Sequence, residues 1–222
     1  MRSVVITGCS TGIGRASALR MDSIGWRVFA GVRKEADAES LSKAGSSRLV
    51  PLILDVADQA TIDASRKTVA SELVDGALHG LVNNAGITVQ GPLEYLPLDE
   101  MRKQMEVNVT GQIAVTQAFL PYLRTARGRI VFMSSIAGRA PALPFIAPYS
   151  ASKKALEAIG ESLKVELMAD GIGVSLIEPG SIATEIWEKG DFLGRKPAPS
   201  GRRSDLPALL HRTAVTRLSL GG

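Results

Sequence analysis

Thr7-Gly8-Cys9-Ser10-Thr11-Gly12-Ile13-Gly14 follows the apolar run Val4-Val5-Ile6 and precedes Ala16, Ala18, Leu19 and Ile24, an order that reads as strand, glycine turn and helix. Glycines at the first, fifth and seventh positions from Gly8 let the backbone take positive φ and let a ligand approach without meeting a Cβ. The following helix start offers free N–H groups and partial positive charge, so the turn suits a phosphate. Its spacing, G-x-x-x-G-x-G, differs from the common G-x-G-x-x-G, and a plain glycine turn in an α/β protein is the competing reading.

Working outward from this turn, apolar runs and amphipathic stretches alternate. Strands are expected over 26–32, 48–54, 78–82, 128–134 and 172–178, each followed by a helical or turn-rich stretch. A short helix is predicted over 36–44, and another carries Ile62, Val69 and Leu73 on one face. A long helix is predicted over 99–123 with Asp99 as its N-cap, and a last one over 149–170, with Pro148 at its start and Gly171 at its end. Strand–helix alternation with strands apolar on both sides implies a Rossmann-type, doubly wound parallel sheet in a single α/β domain with helices on both faces. Ligands then bind at the carboxyl ends of the strands, where the glycine turn, Asp55 and Asn83-Asn84-Ala85-Gly86 fall. The domain is expected to run over 1–188. Residues 189–222 read as a basic Pro/Gly-rich tail, atypical or truncated; either a strand over 214–220 completes the sheet, or the last edge strand is lacking.

The net charge of +4 lies in that tail, where Lys189, Arg195, Lys196, Arg202, Arg203, Arg212 and Arg217 face only Asp191 and Asp205. The body is close to neutral, so the charge does not point to a nucleic-acid partner. The single Cys9 allows no internal disulfide, and with only His79 and His211 as histidines no metal site is expected. Cys9 reads as a small packing residue and His79 as core or edge filler. No apolar run reaches about 18 residues and the first strand begins near Met1, which predicts a cytoplasmic protein with no membrane partner.

Tyr149 and Lys153 are four residues apart at a helix start, hence one turn apart on one face. A tyrosine with a pKa near ~10 needs a lowering of roughly 3 units, about 4 kcal/mol, to ionise near neutral pH. An ammonium about 4 Å away supplies about 4 kcal/mol at an effective dielectric of ~20, so the pair can make an acid or base. A solvated, chance pair is the alternative. Asn108, between Val107 and Val109, reads from its helix alone as a satisfied core amide.

Taken together, Thr7-x-x-x-Gly12-Ile13-Gly14, Asn83-Asn84-Ala85-Gly86, Asn108, Ser135, Tyr149-Ser150-Ala151-Ser152-Lys153 and Pro179-Gly180-x-x-x-Thr184 resemble the short-chain dehydrogenase/reductase family, in this order and at these distances. The resemblance implies an oxidoreductase moving hydride between a nicotinamide cofactor and an alcohol or carbonyl carbon. In it Tyr149 exchanges a proton with the substrate oxygen, Ser135 hydrogen-bonds the same oxygen, and Lys153 lowers the tyrosine pKa and bonds the ribose. Asn108 becomes the amide that holds a water on the proton path. Gly8, Ser10, Thr11, Gly12, Ile13 and Gly14 would bind the cofactor at the turn, and Asp55 and Val56 its adenine end. Asn83, Ala85 and Gly86 would line its groove, with Pro179, Gly180, Ile182 and Thr184 at the carboxamide. The 14 positions from Ser135 to Tyr149 are one more than the family pattern, so the loop between them must bulge.

No acid stands at the end of the second strand before Glu35. Val32 occupies the carboxylate position of NAD-selective proteins and Arg33 can fork onto a 2′-phosphate, which predicts NADP over NAD. The segments Ser134-Ser135-Ile136-Ala137-Gly138 and 178–190, with Ile186-Trp187, are similar to steroid- and retinol-type members and favour a bulky apolar alcohol or ketone. Apolar residues on more than one face of two helices (Ile113, Val115 and Phe119; Leu156, Ala158 and Val165) predict a homodimer or homotetramer. A non-catalytic cofactor sensor and a truncated, inactive family member are the competing readings.

Overall fold

The computed structural model describes residues 1–180. The expected tail, the strand over 214–220, Ile182, Thr184 and Ile186-Trp187 lie outside the described residues. Within them six strands form one parallel sheet: β1 Ser3–Ile6, β2 Arg27–Val32, β3 Leu49–Ile53, β4 Gly80–Asn83, β5 Arg129–Met133 and β6 Gly173–Ile177. Their order is β3-β2-β1-β4-β5-β6, every pair is parallel, and the winding reverses between β1 and β4. This is the doubly wound sheet that the alternation predicts.

Period-two alternation sorts each strand's side chains to two cores. Val4, Ile6, Val28 and Ala30 face a cluster completed by Ala18 of α1 (Gly12–Ser23) and Leu41 of α2 (Glu35–Ala44). Val5, Phe29, Leu81, Ile130 and Phe132 face the larger cluster on the other side. There they meet Ile62 and Val69 of α3 (Gln59–Glu72), Val115, Phe119 and Leu123 of α5 (Gly111–Ala126), and Leu156 of α7 (Ala147–Glu166). Phe29, Phe119 and Phe132 are fully buried, each worth about 1.5–3 kcal/mol of transfer free energy.

A polar contact locks the outer part of the sheet. Asp22, at the end of α1, accepts bonds from Ser46 N (2.8 Å) and Ser46 Oγ (2.5 Å), with Arg48 Nε 3.6 Å away. Burial alone would raise its carboxyl, but the Ser46 bonds and Arg48 outweigh it and hold the carboxyl below its ordinary value.

Three expectations change. The predicted helix over 99–123 is divided: α4 spans Leu98–Met105 and α5 begins at Gly111, with a single π turn, Glu106–Thr110, between them. Asp99 is not its N-cap. Pro97 holds that position, and Asp99 pairs instead with Arg102 at 2.7 Å in the first turn. The helix expected over 149–170 starts at Ala147 and ends at Glu166, with Pro148 in its first turn as anticipated. The stretch before it, which carries Pro141 and Pro144, contains a short helix, α6 Ile136–Arg139, capped by Ser135 Oγ, which accepts from Ala137 N at 3.2 Å.

The argument for self-association also weakens. Of the six apolar residues that carry it, Val115, Phe119 and Leu156 are fully buried in the monomer's own core. A sequence pattern cannot separate a helix face spent on the sheet from one left for a partner, and Val165, 68% exposed, is the clearest remainder.

Candidate active site

A cleft of about 600 Å³ opens at the carboxyl ends of the strands, over the β1/β4 reversal. Its floor is the turn between β1 and α1. Gly8 has φ +69°, and a side chain there would begin 2.8 Å from Ala85 Cα; one at Gly14 would begin 2.3 Å from Gly8 O and 2.4 Å from Asn84 Nδ2. Backbone atoms stand at both points, so Gly8 and Gly14 tolerate no side chain without a shift of the main chain. Thr7 Oγ1 accepts from Asn84 N (3.0 Å) and Ala85 N (2.9 Å), and Asn84 Nδ2 donates to Thr7 O (2.9 Å) and Gly8 O (3.0 Å). The loop after β4 is thereby stitched to the glycine turn.

Of the residues singled out in the sequence, Gly8, Ser10, Thr11, Gly12, Ile13, Gly14, Arg33, Asp55, Val56, Ala85, Gly86, Ser135, Tyr149, Lys153, Pro179 and Gly180 all line this cleft. Asn83 does not. It is fully buried and its Nδ2 donates to Thr116 Oγ1 at 2.8 Å, fastening β4 to α5, while Asn84 beside it faces the cleft. Asn83 is the last residue of β4 and Asn84 the first of the loop after it, so one position decides between core and groove. The doublet Asn83-Asn84 shows that an amide is wanted but not which one.

Asn108 also stays out of the cleft lining. It is fully buried in the π turn, its Oδ1 accepts from Ile87 N (2.8 Å), and its Nδ2 donates to Ile87 O (3.0 Å) and Ser152 Oγ (3.1 Å). Both amide hydrogens are used, as the core-amide reading expects. Asn108 Oδ1 and Lys153 Nζ nevertheless converge on Gly86, 3.4 and 3.9 Å from the point where a side chain there would begin. Gln104, one turn earlier, makes the same kind of clamp on Val89 N (2.7 Å) and Ile87 O (2.8 Å). Sequence reading missed it, although it lies four residues before Asn108 on the same predicted face.

At the other end of the cleft Ser135, leaving β5, hydrogen-bonds Tyr149 at the start of α7. The extra residue in the loop is absorbed, and the two side chains meet. Lys153 Nζ lies 5.7 Å from the Tyr149 ring centroid and donates to Met133 O at 2.6 Å. The electrostatics differ from the expectation. Burial pushes the Tyr149 hydroxyl above its ordinary value, only partly offset by the Ser135 bond, and burial pushes Lys153 down to about 8. The tyrosine is therefore not poised as an anion by the lysine alone; desolvation wins.

Cys9 and His79 stand as read. Cys9 is fully buried, donates Sγ to Ile6 O at 3.1 Å, and has its thiol pushed up to about 12 by burial, so it is no nucleophile. His79 sits beside Trp26 at a ring distance of 6.5 Å, with Ser3 N 3.3 Å from its Nδ1.

The family model for short chain dehydrogenases matches residues 2–191. The chain belongs to the short-chain dehydrogenase family. Among its relatives, the NADPH-dependent 3-dehydrocapnine reductase of Ornithobacterium rhinotracheale is 39% identical over 194 residues, 85% of this chain and 68% of that protein. Human retinol dehydrogenase 5 is 40% identical over 184 residues, 82% of this chain and 57% of that one. The chain thus spans between about half and two thirds of the length of these relatives. A solved short-chain dehydrogenase from Streptomyces avermitilis superposes with TM-score 0.80 at 32% identity, covering 100% of this chain and 84% of its own.

The residues of this short-chain dehydrogenase fit a nicotinamide dinucleotide. The glycine cradle leaves no room for a Cβ, α1 has no acidic residue in its first turn to repel a pyrophosphate, and Arg33 and Lys34 line the cleft after β2. Among the described residues no helix is long and apolar enough to cross a membrane.

Proposed function

We propose that this protein is a cytoplasmic NADP(H)-dependent oxidoreductase acting on an apolar alcohol or its carbonyl partner. The observation that carries the reading is that Ser135, Tyr149 and Lys153 line one end of the cleft whose floor is the glycine turn. When bound, the cofactor supplies or accepts the hydride at the substrate carbon. Gly8, Ser10, Thr11, Gly12, Ile13 and Gly14 would hold its pyrophosphate, Asp55 and Val56 its adenine end, Ala85 and Gly86 its groove side. Pro179 and Gly180, with Ile182 and Thr184 beyond the described residues, would hold the carboxamide.

Tyr149 Oη gives a proton to the carbonyl oxygen in reduction and takes it back in oxidation; its raised pKa suits the acid role. Ser135 Oγ, already bonded to Tyr149, holds the same oxygen beside it. Lys153 places a positive charge within reach of Tyr149 and reaches the ribose. Asn108 uses the second lone pair of Oδ1, facing Gly86, for the water next to Lys153. The relatives, a retinol dehydrogenase and an NADPH-dependent reductase, support the apolar substrate and the phosphorylated cofactor.

A turnover screen of apolar ketones and aldehydes with both cofactors tests the whole. Wild type is expected to favour NADPH over NADH by at least about tenfold in kcat/KM, because a forked Arg–phosphate pair is worth roughly 1.5–3 kcal/mol. Arg33→Ala should collapse that ratio toward one with little change for NADH. A wild-type preference for NADH, or a ratio that Arg33→Ala leaves untouched, would remove the assignment.

Self-association through α5 and α7 is proposed on Ile113, Ala158 and Val165. Sedimentation velocity at micromolar concentration is expected to give a dimer or tetramer, and a monomer would refute it.

A further inference from the structure

One turn beyond Lys153 on α7, Glu157 is 7% exposed, and neither carboxylate oxygen hydrogen-bonds to any described residue. Burying a carboxylate without hydrogen bonds is costly, so a carboxylate kept in such a place calls for a physical reason. The surroundings are built closely around it. A side chain begun at Gly138 of α6 would lie 3.0 Å from Glu157 Cγ, 3.0 Å from Ser134 Oγ and 3.1 Å from Lys153 O. Ser134 in turn stands between Met133, which accepts the bond from Lys153, and Ser135, which bonds Tyr149.

Among the described residues compensating charge is thin. Arg139 of α6 lies 3.8 Å from Glu157 Oε2, but its short contact, 2.7 Å, is to Glu178 after β6, and Glu161 of α7 draws on it at 3.9 Å. One arginine, itself largely exposed, is shared by three carboxylates. Lys154 turns instead to the carbonyls of Ala140 (3.1 Å) and Gly138 (3.5 Å). Among the described residues the net charge behind Lys153 is negative.

We propose that Glu157 is a positioning residue for the active site: an under-compensated buried carboxylate that keeps positive charge on Lys153, one helical turn away, and so beside Tyr149. Residues four apart on a helix stand about 5–6 Å apart at Cβ, close enough for this in a desolvated setting. Burial drives Lys153 toward neutrality near physiological pH, and the Glu157 charge acts against that drive. The inference rests on the proposed roles of Tyr149 and Lys153.

Glu157→Gln keeps the size and removes the charge. In cofactor-free protein, ¹⁵N NMR titration of the Lys153 Nζ is expected to show its midpoint fall by about one pH unit. The alkaline limb of kcat/KM for reduction should move down by a similar amount, with KM for cofactor within threefold and Tm unchanged or raised. Arg139→Ala, at an exposed position, should shift the Lys153 midpoint in the opposite direction, and Glu157→Asp should restore part of the limb. A purely structural role predicts a lower Tm with an unmoved limb. An unmoved Lys153 midpoint in Glu157→Gln, or in Arg139→Ala if the former does not fold, overturns the proposal. The NMR readout needs no substrate, so a midpoint that falls in a protein without turnover sinks the reading of Tyr149 and leaves the coupling of Glu157 to Lys153 standing.

Discussion

Tyr149→Phe is expected to lower kcat for carbonyl reduction by about 10²–10⁴-fold, the range a positioned proton donor contributes, while cofactor affinity stays within about threefold. The variant removes one oxygen from a side chain that is 5% exposed, so the ring still fills its place between Ser135 and Lys153. The fold should therefore be intact, and a Tm within a few degrees of wild type would show it. Steady-state turnover with NADPH, together with cofactor titration by nucleotide fluorescence, separates the two effects. A phenylalanine variant that keeps more than about a tenth of the wild-type rate would mean that another group moves the proton.

Gly14→Ala is expected to be the most damaging single-methyl change in the described part of the chain. Judged by helix propensity alone it should help, since alanine exceeds glycine by about 1 kcal/mol inside a helix such as α1. The new Cβ, however, would stand 2.3 Å from Gly8 O and 2.4 Å from Asn84 Nδ2. Neither can retreat cheaply: one is turn backbone and the other is the amide that ties the β4 loop to that turn. Overpacking of this kind costs about 3 kcal/mol, which after the propensity gain leaves a net loss of about 2 kcal/mol and a Tm lowered by roughly 4–8 °C. Because the displaced atoms are the cleft floor, cofactor affinity should fall by roughly 100-fold or beyond. Differential scanning fluorimetry with and without NADPH measures both. A variant as stable as wild type, with its cofactor shift preserved, would show that the turn can open.

The glycine turn and the strand alternation carried most of the fold because they are local. Where a chain must take positive φ at Gly8 and start a helix at Gly12, few residues serve. The joint motif spacing also singled out Ser135, Tyr149 and Lys153, which line one cleft together. What escaped was decided by tertiary packing. Asn83 ends β4 inside the core and Asn84 opens the loop at the cleft, a difference of one position. The π turn at Glu106–Thr110 inserts a residue's worth of backbone that periodicity over 99–123 reads straight through. The Tyr149 hydroxyl was expected to be lowered by Lys153, but the expectation counted the lysine's charge and not the burial of both groups, which acts in the opposite direction on the tyrosine and weakens the lysine. Val115, Phe119 and Leu156 looked available for a partner because a sequence does not tell how wide a helix stripe the sheet itself will cover.

The stitch of Thr7 and Asn84 across the β1/β4 reversal has a further consequence. Four hydrogen bonds of 2.9–3.0 Å bind the two walls of the cleft to each other before anything enters it. The walls therefore keep their spacing, and a dinucleotide meets a surface already in shape. Little conformational entropy remains to be lost at this end of the groove on binding, so contact energy there appears almost undiminished as affinity. A turn of three glycines is thus tied to the neighbouring strand by the hydroxyl of one threonine and the amide of one asparagine.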